Sequence, residues 1–287
     1  MIGFNGIATM GRMGNQMFQH ASTKGIARKI GVKYCIPPAN RPDFQIDNYG
    51  LFDCFEMSNV DSIEFLNNGH APLVPERHFH FDEELFAGCP DHISLQGFFQ
   101  SEKYFKHVEA EVRSDYTFRS EWLEPCQEFM SQFEGKEVGF LHVRRGDPDL
   151  ADKRGFKWAY VNLQDQHPVQ PLEYYEEALS RFPEDMPFLV FSDSIDWCKE
   201  QEIFKDDRFM FSEPEDKYDD GALVPYIDLC LMSLCSHAII ANSSLSWWGA
   251  WLQKNPNKKV IAPKMWFGSA YHYHDTKDLI PEQWERI

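Results

Sequence analysis

Residues 138–147 read VGFLHVRRGD. An apolar run without polar alternation fits a strand buried on both faces, and this one ends on two adjacent arginines. Four similar runs follow: PFLVFS (187–192), RFMF (208–211), HAIIA (237–241) and KKVIAP (258–263). Amphipathic segments lie between most of them: PLEYYEEALSRF (171–182), SIDWCKEQEIF (194–204), YIDLCLMSLC (226–235) and LSWWGAWLQK (245–254). Continuous apolar strands alternating with helices predict a parallel sheet covered on both faces, with ligands off the carboxyl ends of its strands.

Working outward, the N-terminal half opens the same way, with a strand expected over 2–8, a helix over about 15–30 and a strand at KYCIP (33–37). It then turns irregular and aromatic. HFHFD (78–82) alternates like a half-buried strand, and EWLEPCQEFMSQFEGKE (121–137) reads as a helix ending at Gly135, a plausible junction. The expectation is an α/β protein of two domains, 1–135 and 136–287, with a cleft between them.

The chain of 287 residues is 43% hydrophobic and 15% aromatic, enough for a sizeable core and against disorder. Its 28 basic and 45 acidic residues give a net charge of −17, which repels nucleic acid and anionic membrane surfaces. An anionic small ligand must then be held by a few positioned cations. The seven cysteines are odd in number and lack a Cys-x-x-Cys pair, which reads as reduced, packed thiols of a cytosolic protein. The N-terminus has no basic region followed by an apolar core, so no signal peptide is expected. From Leu229 to Gln253 there is no charged side chain. His237, Asn242 and the serines of SHAIIANSSLS (236–246) interrupt that stretch, so it reads as helix, buried strand, loop and helix and not as a membrane span.

The loops after the apolar runs carry the candidate chemistry. On a strand, His142 and Arg144 share one face while Val143 and Arg145 share the other. Arginines leaving a buried strand need anions, and the planar fork suits phosphate; pairing with Asp147 and a neighbouring carboxylate is the structural alternative. Ser192 to Ser194 (SDS) fits a helix N-cap. Asn242, Ser243 and Ser244 place hydroxyls and amides at a helix N-terminus, an anion site or a capping loop, with Trp247, Trp248 and Trp251 as core. GRMGNQMFQHA (11–21) adds a fourth such loop, where Gly11 and Gly14 allow close approach of the backbone or simply a tight turn. None of these is a dinucleotide fingerprint or a P-loop.

GRMGNQMFQHA, HVRRGD (142–147) and NSSLSWWGAWL (242–252), in this order and at these intervals, resemble the α-1,2-fucosyltransferases of glycosyltransferase family 11 over nearly the whole chain. The resemblance implies a GT-B fold of two facing Rossmann-like domains, an acceptor-side N-terminal one and a GDP-sugar-binding C-terminal one. It implies inverting transfer of fucose from GDP-β-L-fucose to the 2-hydroxyl of a galactose-type acceptor, without metal or other cofactor. Arg144 would then hold the β-phosphate and His142 the guanosine end, with Asp228 accepting from the guanine N1 and N2 amines. Ser243 and Ser244 would meet the pyrophosphate, within a donor site that also takes in Arg145, Ser192 and Asn242. Asn15, with Gly14, would close on the phosphates or fucose.

An inverting transfer wants a base for the acceptor hydroxyl, and Asp147, Asp149 and Asp152 are near the arginines, Asp147 being the choice. The match of Asp147-Pro148-Asp149 to the D-x-D of metal-dependent transferases is read as coincidence, because two arginines precede it. HFHFD and HYHD (272–275) could hold metal only adventitiously. RRGDPDLADKRGFKW (144–158) departs from the RRGDY of relatives, and SDS from a more acidic SDD. Another GDP-sugar or O-fucosyl transferase, or a silent GDP-sugar-binding protein, is the alternative. The expected site of action is the cytoplasm, with peripheral contact at the inner membrane face for a glycolipid-borne acceptor.

Overall fold

The structure is a computed structural model, described over residues 1–38, 50–57, 60, 70–146, 160–213 and 224–287. These fall into two compact units, Met1–Ser120 with His274–Pro281, and Glu121–Tyr273 with Glu282–Ile287.

The first unit is built on β1 (Ile2–Gly3), α1 (Met13–Lys29), β2 (Tyr34–Cys35), α2 (Leu51–Cys54), β3 (Leu73–Pro75), α3 (Glu83–Gly88), β4 (Ile93–Gln96) and α4 (Glu109–Asp115). Its four strands form one parallel sheet in the order β2-β1-β4-β3. The strand expected over 2–8 stops at Gly3: residues 5–9 form turns, and Ala8 sits at φ +67°, which a strand cannot hold. HFHFD is a loop and not a strand. Asp82 caps α3 by accepting the Leu85 N–H at 3.0 Å, so the apparent alternation is a helix entry.

Helix α1 is buried almost throughout, yet it is rich in polar side chains. Each finds an internal partner, as burial demands. Gln19 Nε2 donates to Gly97 O at 3.0 Å, Ser22 Oγ to Phe99 O at 3.0 Å, and Lys24 Nζ to Asp115 Oδ2 at 2.6 Å.

The second unit takes in nearly all of α5 (Ser120–Met130), then β5 (Gly139–Val143), α6 (Leu172–Leu179), β6 (Phe188–Ser192), α7 (Ile195–Glu200), β7 (Phe209–Phe211), α8 (Tyr226–Leu234), β8 (His237–Ile239), α9 (Ser244–Leu252), β9 (Val260–Ala262) and β10 (Glu285–Arg286). The six strands are parallel, in the order β10-β9-β8-β5-β6-β7. β5 is central and buried along its length, as its apolar run requires. Leu141, Val143, Tyr175, Phe188, Val190, Ile239 and Ile261 form a core beneath the sheet. Trp247, Trp248 and Trp251 are buried, with Trp248 edge-to-face against the other two, the core role expected of them.

The division between the units falls ahead of α5 and not at 135/136. Trp122 packs its ring 5.2 Å from that of Tyr226, and Cys126 reaches Ile227 O at 3.8 Å, so α5 belongs with α8. The return of 274–281 to the first unit has no counterpart in the sequence reading. It is held by Lys103 Nζ on Asp278 Oδ1 at 2.6 Å and by Ser101 Oγ on Asp278 O at 2.7 Å. The uncharged stretch resolves into α8, β8 and α9 as expected, and among the described residues no helix is long and apolar enough to cross a membrane. All seven cysteines are buried thiols, with no disulfide between them.

Candidate active site

The loops leaving β5 and β6 are stitched together by the SDS triplet. β5 pairs with β6 through Val143 and Ser192, so the residues just beyond them are neighbours. Asp193 forms an ion pair with the Arg144 guanidinium and accepts the Arg145 N–H on Oδ1 at 2.9 Å. Ser194 Oγ donates to Gly146 O at 2.7 Å, and Ser192 Oγ accepts the Ser194 N–H at 2.9 Å. Ser194 therefore occupies the N-cap position of α7 without capping it through its hydroxyl. The side chains of Asp193 and Ser194 serve the arginine loop instead of the helix expected to use them.

The two arginines diverge as strand alternation requires. Arg145 lays its guanidinium 4.8 Å from the centre of the Trp197 ring on α7, a cation–π contact that braces the loop. Arg144 sits with His142. That imidazole is buried, and burial pushes its pKa down to about 4, with Arg144 lowering it and Asp193 opposing, so it is neutral at ordinary pH. Its Nδ1 has no hydrogen-bond partner among the described residues. His167, which the sequence reading missed, lies within electrostatic reach of Arg144 and is pushed down by burial first and by that arginine second.

Further along the same sheet end, Asp228 on α8 accepts from Ser212 Oγ at 2.6 Å, just after β7. Its carboxylate is buried, and desolvation raises its pKa to about 6 despite that hydrogen bond. After β8, Asn242 Nδ2 donates to Pro168 O at 2.9 Å and Trp266 O at 3.1 Å, while its buried Oδ1 has no partner among the described residues. Ser243 is the N-cap of α9 and makes no side-chain capping bond. Hence the first turn of α9 offers backbone N–H groups and the positive end of its dipole beside polar side chains.

His142, Arg144, Arg145 and Ser192 are thus brought together around Asp193, with Asp228 and Asn242–Ser244 off the same edge of one sheet. Gly14 and Asn15 belong to the first unit, at the start of α1. Gly11 has φ +79°, and a Cβ there would lie 2.0 Å from Asn15 Nδ2, so the glycine serves the turn and the amide beside it. Asp147, Asp149 and Asp152 lie outside the described residues. Among the described residues no three His, Cys, Asp or Glu side chains converge to hold a metal ion, and His78 and His80 stack on each other at 4.9 Å.

Two α/β units, each on a wholly parallel sheet, define the GT-B class of fold. Fucosyltransferase NodZ from Bradyrhizobium superposes with a TM-score of 0.55 at 16% identity, covering 88% of this chain and 92% of that one. The model of Glycosyl transferase family 11 matches residues 1–287, and the chain belongs to that family. An alpha-1,2-colitosyltransferase of Escherichia coli is 28% identical over 294 residues, covering 96% of each chain. The galactoside alpha-(1,2)-fucosyltransferase 1 of Alouatta caraya is 28% identical over 258 residues, 84% of this chain and 63% of that protein.

Proposed function

We propose that the protein transfers L-fucose from GDP-β-L-fucose to the 2-hydroxyl of a galactose-type acceptor, forming an α-1,2 linkage with inversion. The observation that carries the reading is Arg144 held by Asp193 at the carboxyl end of the second sheet, next to a neutral His142 with an unpartnered Nδ1. Support for the linkage comes from the names of the two relatives above.

In this mechanism the bond between fucose C1 and the β-phosphate oxygen breaks as the acceptor O2 bonds to C1 from the opposite face. GDP departs with the bonding electron pair, and the O2 proton passes to a base. Negative charge grows on the diphosphate, and Arg144, aimed by Asp193, binds it as a bidentate fork. The N-terminus of α9, with Ser243 and Ser244, adds backbone donors to the pyrophosphate. With those groups neutralising the leaving group, no divalent ion is required. His142 receives the guanosine end through Nδ1, and Asp228, acceptor-only when ionised, takes the guanine N1 and N2 amines. Arg145 braces the loop through Trp197, Ser192 holds Ser194, and Asn242 fixes the approach to α9. Gly14 and Asn15 contact the sugar-phosphate, and Asp147 is the proposed base. A peripheral position at a membrane face fits an acceptor carried on glycolipid.

Transfer of colitose in place of fucose is the second reading, favoured by the Escherichia coli relative. Thermal-shift titration tests the donor half of the proposal. GDP and GDP-fucose should stabilise the protein well beyond UDP or ADP, by mass action on the native state. Equal shifts for UDP would remove the guanine assignment.

A further inference from the structure

At the carboxyl end of the first sheet lies a polar relay that the transfer chemistry above leaves unused. Glu76, just after β3, turns its carboxylate onto the loop that follows β4. Oε2 accepts the Phe98 N–H at 2.9 Å and Oε1 the Phe99 N–H at 2.7 Å. Burial raises this carboxyl to about 7, against the two N–H groups that lower it. The loop it grips is strained. Gly97 has φ +148°, and a Cβ there would lie 2.4 Å from Glu76 Cβ. Phe99, fully buried, has φ +52°, a left-handed conformation that is strained for an aromatic residue. From α1, Gln19 and Ser22 hold the same loop through Gly97 O and Phe99 O.

What this arrangement positions is Gln100. Its buried side chain donates from Nε2 to Asn15 Oδ1 at 2.6 Å. A carboxamide has one accepting and one donating end. With Oδ1 taken by Gln100, Asn15 presents Nδ2, which has no partner among the described residues and lies against the backbone of Gly11. A buried carboxylate and a left-handed aromatic residue are thus committed to the direction of one side-chain amide.

We propose that Glu76 and Gln100 are positioning residues that fix the Asn15 carboxamide with its N–H groups toward the sugar-phosphate, making Asn15 a hydrogen-bond donor and never a base. The inference rests on the assignment of Asn15 to the sugar-phosphate in the function proposed above. A fixed donor there suits an oxygen that gains negative charge as the C1–O bond breaks, since its orientation is set before the reaction begins.

Gln100→Glu tests this directly, because it replaces a donor by an acceptor at nearly constant shape. The new carboxylate draws Nδ2 to itself and turns Oδ1 outward, so kcat should fall roughly 10²-fold, the scale for losing one preorganised donor, with the melting temperature close to wild type. Gln100→Ala leaves the amide able to turn either way and should lose only about tenfold, the scale of a single hydrogen bond. Glu76→Gln removes one of the two acceptors and Glu76→Ala both, giving graded losses in kcat. Two readouts need no turnover: amide hydrogen exchange at Phe98 and Phe99 should quicken in Glu76→Ala, and the Asn15 side-chain amide signals should move in Gln100→Glu. A wild-type protein that fails to turn over GDP-fucose would defeat the functional reading, while the amide signals would still decide the relay. Equal kcat for Gln100→Glu and Gln100→Ala, or unmoved Asn15 amide signals, would overturn the proposal.

Discussion

Arg144 and Asp193 form an ion pair between the loops that leave two adjacent strands, β5 and β6, and the same carboxylate accepts the N–H of Arg145 at 2.9 Å. One aspartate therefore fixes both the charge and the backbone of the arginine loop. The pair is partly buried, with exposures of 26% and 23%, so solvent screens it less than a surface pair.

Removing Asp193 should take a close carboxylate away from a half-buried guanidinium. Asp193→Ala is expected to cost about 1–2 kcal/mol, between the values for exposed and fully buried pairs, and to raise KM for the donor. Asp193→Asn keeps an acceptor for the Arg145 N–H and should lose less stability. Denaturant melts with donor kinetics check this, and an Asp193→Ala protein as stable as wild type would refute the anchoring role.

The two arginines should separate in their effects. Arg144→Lys keeps the charge and loses the fork, so kcat should fall roughly 10²–10³-fold as charge builds on the phosphate. Arg145→Lys weakens the stacking on Trp197, worth about 0.5–1 kcal/mol, and should show mainly in stability. Near-normal kcat in Arg144→Lys beside a dead Arg145→Lys would reverse the assignment of faces.

The parts of the fold legible in the sequence are those where one physical cause dominates. β5 and β6 are buried on both faces, so no charged residue interrupts VGFLHV or PFLVFS, and their bounds fall within a residue or two of the runs. β1 is shorter than its apolar run because the chain leaves the sheet after Gly3 through a turn that its apolar residues do not announce. HFHFD mimics strand alternation while Asp82 caps a helix and pairs with Arg77 at 2.6 Å. The Arg144–Asp193 pair spans 49 residues and follows from the adjacency of β5 and β6, a matter of sheet order that no local pattern encodes. Glu76 and Gln100 stayed hidden for the same reason, since their partners lie up to 85 residues away.

Asp228 supplies a pH dependence with a definite sign. Its folded-state pKa is raised from 3.8 to about 6, so the folded protein binds the proton more tightly than the unfolded chain. Stability from this group is greatest below about pH 4 and declines as pH rises to about 6, a loss of about 3 kcal/mol if the whole difference is expressed. Asp228→Asn should flatten that decline and stabilise the unliganded protein at pH 7. It should also erase the preference for GDP over ADP, because the neutral amide no longer offers an acceptor-only partner to guanine. Retained preference in Asp228→Asn, followed by thermal shift at several pH values, would contradict the role.

If Arg144 and the α9 N-terminus neutralise the departing diphosphate, turnover should persist in excess EDTA. Assays with and without chelator, then with added Mn²⁺ or Mg²⁺, read this out. Loss of activity on chelation, restored by metal, would move the chemistry to a cation.

The central claim is the transfer itself. The protein is incubated with GDP-β-L-fucose and lactose, GDP release is quantified, and the linkage of the trisaccharide is determined by NMR. One GDP should be released for each trisaccharide formed, with fucose α-linked to the 2-hydroxyl of galactose. No GDP release with lactose or any other galactoside, or fucose carried on a different hydroxyl, would contradict it.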